Sequence, residues 1–84
     1  MEKSIFTQEY LLFLGQLRRA RKAAGMTQEQ VAGRLRQTQS FVSKCERGER
    51  RIDVIELRAY CRAIGISFIE FIEQVESTIE TQEN

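Results

Sequence analysis

TQEQVAGRLRQTQSFVSKCERG, residues 27–48, reads as a helix, a tight turn and a second helix. Thr27 opens the first of these, and Gln30 three positions later completes the pattern of a capping box, in which each side chain satisfies a backbone N–H at the helix start. Val31, Ala32 and Leu35 then set an apolar stripe at helical spacing. Arg36-Gln37 makes the connection, Thr38 caps the second helix through its hydroxyl, and Gly48 closes it where a left-handed residue satisfies the last carbonyls. At about 100° per residue, Gln39, Ser40, Ser43, Lys44 and Arg47 share one arc of that second helix, with Val42 and Cys45 opposite. The outer arc is wholly polar. Glutamine pairs at two points with adenine, serine reaches either kind of base, and lysine reaches guanine or a phosphate. A helix over about residues 39–47 with this face is what reading a major groove requires.

The rest of the chain supplies helices to support that pair. An opening helix is expected from Thr7 or Gln8 to about Ala24, ended by Gly25, with Tyr10, Phe13, Leu14, Leu17 and Ala20 near one face. Arg21 falls close to the same apolar stripe. After Gly48, Glu49-Arg50-Arg51-Ile52 forms a loop whose guanidiniums would lie along a phosphate backbone and fix register without reading sequence. Asp53 caps a fourth helix through about Ile64, with Val54, Leu57, Cys61 and Ile64 expected inward. Gly65 ends it, and Ser67 caps a fifth helix from Phe68 to about Ser77. Phe68, Ile72, Val75 and Ile79 form one stripe there, broadened by Ile69 and Phe71. That is more apolar surface than a small core covers, and such patches mark association. A homodimer interface is therefore expected at Phe68, Ile69, Phe71, Ile72 and Val75. Phe41, at the edge of its helical wheel, is expected half-buried between helices.

Composition narrows the function. The 84 residues suit one small domain, near the lower limit for a self-sufficient core, and burial of further surface in an oligomer would help it. Residues 18–51 carry ten basic side chains against three acidic ones, a net +7, while residues 70–84 carry five glutamates and no base. The overall charge of +1 conceals this division. A basic middle suits a polyanion, and the acidic end would point away from it. The chain has no histidine, and two cysteines, Cys45 and Cys61, are too few for a typical zinc site. Both are expected inside as reduced thiols, with a redox-sensing pair as the alternative. Neither a nucleophile–base constellation nor a phosphate-binding loop is present, so no enzyme, metal or cofactor is expected. No apolar run reaches the roughly 20 residues of a membrane span, and no secretory signal is visible, which makes the cytoplasm the expected compartment.

From about Leu14 to about Ile72 the chain resembles the phage-repressor (lambda-repressor/Cro-like, XRE) helix-turn-helix family of DNA-binding transcriptional regulators. The resemblance rests on Leu14-Gly15, Leu17-Arg18 and Arg21 in the opening helix, on Met26-Thr27-Gln28-Glu29, and on the run from Gln39 to Gly48, all in order and at the family's spacing. It implies an all-α, five-helix lambda-repressor-like domain with the helix-turn-helix at helices 2 and 3. Its bounds would be a leader at residues 1–7 (Ile5 and Phe6 left unplaced), the domain at 8–76 and an acidic frayed tail at 77–84.

The resemblance also implies that Arg21 pairs with Glu46, a partly buried pair whose loss of one partner would cost about 3 kcal/mol or more. In the same way Gln28 would clamp a phosphate and touch Gln39. Two departures stand out. The family's usual glycine after the second helix is Arg36 here, at a cost of roughly 1 kcal/mol in a left-handed conformation. Gly33 sits mid-helix, at about 1 kcal/mol relative to alanine.

The expected function is sequence-specific binding of double-stranded DNA by a homodimeric regulator, a repressor in the first reading, on a near-palindromic operator. Gln39, Ser40, Ser43 and Lys44 would read base edges, with Gln28, Arg47, Arg50 and Arg51 on phosphates. The alternative is an antitoxin or adaptor whose main task is to bind a protein partner.

Overall fold

The computed structural model describes residues 5–83, the side chains of residues 5, 6 and 83 excepted. The packing of Ile5 and Phe6 therefore lies outside the described residues. Five helices follow one another: α1 (Ile5–Ala23), α2 (Gln28–Leu35), α3 (Gln39–Arg47), α4 (Val54–Ile64) and α5 (Phe68–Glu83). There is no strand among the described residues, and the fold class is all-α.

Local chemistry sets the boundaries. Thr27 Oγ1 accepts from the Gln30 N–H at 3.1 Å and Gln30 Oε1 accepts from the Thr27 N–H at 2.9 Å, closing the capping box of α2. Thr38 Oγ1 accepts from the Phe41 N–H at 3.0 Å to start α3. Asp53 caps α4 and forms a second box with Glu56, at 2.7 and 3.0 Å. Ser67 Oγ accepts from the Glu70 N–H at the start of α5. At the far end of α3, Gly48 is left-handed (φ 80°), and a Cβ there would lie 3.0 Å from Leu14 Cδ1. The left-handed backbone favours glycine there, and a Cβ would press on the Leu14 side chain as well. Arg36 adopts the left-handed conformation a glycine would take, with φ 57° and ψ 40°. It does so because the turn is closed by backbone bonds, from Gln37 N–H to Ala32 O at 2.9 Å and from Arg36 N–H to Gly33 O at 3.3 Å.

The core joins Leu14 and Leu17 of α1, Val31 and Ala32 of α2, Val42 and Cys45 of α3, Leu57, Tyr60, Cys61 and Ile64 of α4, and Phe71 of α5. Four expectations change. Val54 is 61% exposed, because the stripe it shares with Leu57 and Cys61 runs off the packed body at the first turn of α4. The stretch from residue 77 is not frayed: α5 continues to Glu83, as no glycine or proline interrupts it and Thr78 and Ile79 lie half-buried, Thr78 Oγ1 donating to Gln16 Oε1 of α1 at 3.4 Å. Likewise residues 5–7, taken as leader, already belong to α1.

The fourth change concerns the expected dimer surface. Phe71 is 1% exposed and stands edge-on to Phe13, ring centroids 6.2 Å apart, so it belongs to the core and offers nothing to a second copy. Phe68 and Val75 are partly buried against the same core. Only Ile69 (65% exposed) and Ile72 (39%) of that set face outward.

Gly33 is helical, and a Cβ added there meets nothing within 4 Å. Gly33→Ala is therefore expected to stabilise the domain by about 0.5–1 kcal/mol through the lower chain entropy of the unfolded state. A rise in the midpoint of urea unfolding at unchanged slope is the expected result.

Candidate nucleic-acid interface

The polar arc of α3 is presented as its amphipathic pattern requires. Val42, Cys45 and Glu46 are buried, Gln39, Ser40, Lys44 and Arg47 are exposed, and Ser43 is intermediate. With its side chains an α-helix is roughly 10–12 Å across, which fits the roughly 12 Å width of a B-DNA major groove. Phe41 is half-buried against the core and carries the Arg50 guanidinium over its ring at 4.6 Å.

Glu46 anchors this helix. It is fully buried, yet its carboxylate accepts from Arg21 Nε at 2.7 Å (to Oε2), from Arg21 Nη2 at 3.0 Å (to Oε1), from Gln28 Nε2 at 3.1 Å and from the Tyr60 hydroxyl. Its backbone carbonyl accepts from Arg18 Nη1 at 2.7 Å, and Arg21 Nη1 donates to Met26 O at 2.9 Å. Residues of α1, α2, α3 and α4 thus converge on one side chain. Burial pushes the Glu46 carboxyl up, but the hydrogen bonds from Arg21, Tyr60 and Gln28 outweigh it and hold its pKa below the usual carboxylate value. The bond to Glu46 in turn raises Arg21. Burial, followed by the neighbouring carboxylate, raises the Tyr60 hydroxyl and keeps it a neutral donor.

The carboxylate also dictates what the surface presents. An ionised carboxylate only accepts, so Gln28 must turn its NH2 toward Glu46 and its carbonyl outward. Gln39 then turns its own NH2 to that carbonyl, Nε2 to Oε1 at 2.6 Å. One amide hydrogen and the carbonyl oxygen of Gln39 remain outside this bond. Those are the donor and acceptor that pair with adenine N7 and N6. A buried ion pair thereby sets the orientation of an exposed amide through a single intervening side chain.

The basic residues around α3 are less free than a sequence suggests. Arg47 donates to Ser43 Oγ at 2.6 Å and to Glu49 Oε2 at 2.9 Å. Arg50 faces Glu56 with two nitrogens, at 2.8 and 3.0 Å, and also donates to Arg51 O at 2.9 Å. Arg51 lies over the Tyr10 ring at 4.4 Å, and the Tyr10 hydroxyl accepts from the Ile52 N–H at 3.1 Å. These contacts shape the α3–α4 loop. All three arginines are exposed, and solvent-exposed contacts of this kind are weakly held, so a phosphate can take a partner's place.

Tyr60 is the member of the site that sequence reading missed. It lies three residues after Leu57 and four before Ile64, on the same stripe, so periodicity places it inside; nothing in the sequence says what its hydroxyl touches. The glutamate that holds Arg50, Glu56, was likewise not anticipated. Cys45 and Cys61 are free and buried. Burial raises both thiols, Cys61 to about 11, so neither is a thiolate at neutral pH. No cluster among the described residues could hold a metal ion, and no described helix is long and apolar enough to cross a membrane.

Two short helices joined by a left-handed turn, the second one polar on its outer side, define a helix-turn-helix. The helix-turn-helix family profile matches residues 17–71. An uncharacterized HTH-type transcriptional regulator of Sinorhizobium fredii, y4dJ, is 37% identical over 60 residues, covering 71% of this chain and 78% of that one. An XRE-family like protein from Pseudomonas syringae pv. tomato has a similar structure, with a TM-score of 0.83 and 45% identity over 87% of this chain and 89% of that one. The chain belongs to the XRE-type helix-turn-helix family of DNA-binding transcriptional regulators, a family that binds DNA and does not catalyse reactions.

Proposed function

We propose that this chain is a sequence-specific regulator, a repressor, that binds a near-palindromic operator in double-stranded DNA as a homodimer. The observation that carries this reading is the chain of bonds from buried Glu46 through Gln28 to Gln39, which pre-orients a base-reading amide on an exposed helix. α3 enters the major groove, with Gln39, Ser40, Ser43 and Lys44 at base edges. Gln28, Arg47, Arg50 and Arg51 lie on phosphates on either side. Two copies related by a two-fold axis set their α3 helices about 34 Å apart, one helical turn of DNA. Ile69 and Ile72 are what remains exposed of the apolar surface first assigned to the dimer. The compartment that goes with this reading is the cytoplasm.

The roles assigned to the basic residues separate by experiment. Arg51→Ala is expected to weaken binding to all duplexes alike and to reduce the slope of log K against log salt by about 1, because one phosphate contact is lost. Lys44→Ala is expected to change preference among sequences. Titration of duplexes differing at single base pairs, at several salt concentrations, measures both. A loss of preference in Arg51→Ala, or sequence-blind weakening in Lys44→Ala, would reverse the assignment.

A further inference from the structure

The charge division along the chain is not used up by the DNA-binding face. On α4, Ile55, Arg58, Ala59 and Arg62 fall within an arc of about 100° and are all exposed, Ile55 at 71%. With Arg34 and Leu35 of α2, and Ala63, they line a shallow groove of mixed apolar and basic character. No residue of α3 contributes to it. Arg34 is fixed there by a bond from Nη1 to Ala63 O at 2.7 Å, while the side chains of Arg58 and Arg62 have no hydrogen-bond or ion-pair partner among the described residues.

α5 carries the complementary pattern. Ile69, Ile72, Glu73, Glu76 and Glu80 fall within a similar arc, on the side turned away from Phe71 and the core, and all five are exposed. The three glutamates are unpaired among the described residues. They also repel one another at three- and four-residue spacings, and the last turn of α5 has no basic residue to suit the helix dipole. The helix nevertheless persists to Glu83. In both helices an isoleucine is followed seven residues later by a charge, arginine in α4 and glutamate in α5. Laid parallel with Ile55 beside Ile69, Arg62 comes beside Glu76, and Arg58 comes level with Ile72, one residue before Glu73.

We infer that the α2–α4 groove receives α5 of a second copy of this chain, with Ile55 against Ile69 and Ile72, and Arg58 and Arg62 against Glu73 and Glu76. The inference rests on the homodimer reading and deepens it by naming the two faces that meet. Docked reciprocally about a two-fold axis, each copy supplies one groove and one helix, and the assembly closes as a pair. The partner's arginines neutralise a helix that the chain's own residues leave acidic.

The test is sedimentation equilibrium of the full chain without DNA. The wild type is expected to dimerise, about tenfold more weakly at about 500 mM than at about 50 mM salt, since the contact is partly ionic. Arg58→Glu with Arg62→Glu is expected to be monomeric, and so is Glu73→Lys with Glu76→Lys. An equal mixture of the two variants is expected to recover a mixed dimer, because each remaining groove then faces a helix of opposite charge. All four positions are exposed and none belongs to the DNA-reading set. Far-UV circular dichroism checks their helices, and should either reversal fail to fold, Arg62→Gln and Glu76→Gln replace it, each expected to weaken the dimer.

A wild-type dimer indifferent to both reversals, or a mixture that stays monomeric with folded components, would overturn the docking while leaving the dimer reading intact. A wild-type chain that stays monomeric at tens of micromolar would overturn both, and would leave the groove to an acidic protein of another kind.

Discussion

Glu46→Ala is expected to destabilise the domain by about 3–5 kcal/mol, because it leaves the Arg21 guanidinium buried without its counter-charge. For a chain of this length that is a large share of a total stability of roughly 4–13 kcal/mol. The same substitution orphans the Tyr60 hydroxyl and frees the Gln28 amide. Arg21→Met combined with Glu46→Leu is expected to cost less than either single loss of charge, since no buried charge is then unpaired. Urea unfolding of the four proteins gives the coupling directly, and additive losses would mean that the pair does not hold the helices together. The pH dependence carries a definite sign. Because the folded-state pKa of Glu46 is depressed, its contribution is fully present above the unfolded carboxylate value, about 4.3, and is lost as pH falls through the lower folded value. Glu46→Gln is expected to flatten stability against pH in that acid range.

The second large effect concerns specificity. Gln39→Ala is expected to lower discrimination at one base pair in each half-site by about 1–3 kcal/mol, with the two halves adding in a symmetric dimer. Gln28→Ala is expected to act on the same base pair, more weakly, because Gln39 then keeps its chemistry but loses the partner that orients its amide. The phosphate contact proposed for Gln28 would go as well, so overall affinity is expected to fall too. Competition between operator variants measures both, and a Gln28→Ala protein whose altered preference lies at a different base pair from that of Gln39→Ala would break the proposed relay. Neither change is expected to unfold the protein, as Gln39 is exposed and Gln28 only half-buried.

Much of this molecule is legible in its sequence where local rules decide. The caps at Thr27, Thr38, Asp53 and Ser67 and the left-handed stops at Gly48 and Arg36 follow from short-range hydrogen bonding, and each stands at its expected position. The Arg21–Glu46 pair was expected through the family resemblance, since two residues 25 apart leave no periodic trace. What the sequence does not settle is how far a stripe stays covered. Val54 and Phe71 each lie on an apolar stripe, yet one overhangs the body and the other fills it, because exposure depends on where neighbouring helices end. The extent of α5 was missed for the same reason: its last turns are held by α1, through contacts such as Thr78 with Gln16, and carry no capping signal of their own. Local charge counts also hide partners. Arg50 reads as a free loop cation, but Glu56, serving the α4 cap, also binds it.

The most direct test of the central claim is selection of binding sites from random duplex DNA with the full-length wild-type chain. A two-fold-symmetric motif is expected, its half-site centres about one helical turn, roughly 10–10.5 base pairs, apart, each half containing an adenine that Gln39 reads. Salt-sensitive retention of DNA with no enriched motif would contradict it, and would reduce α3 to an electrostatic anchor.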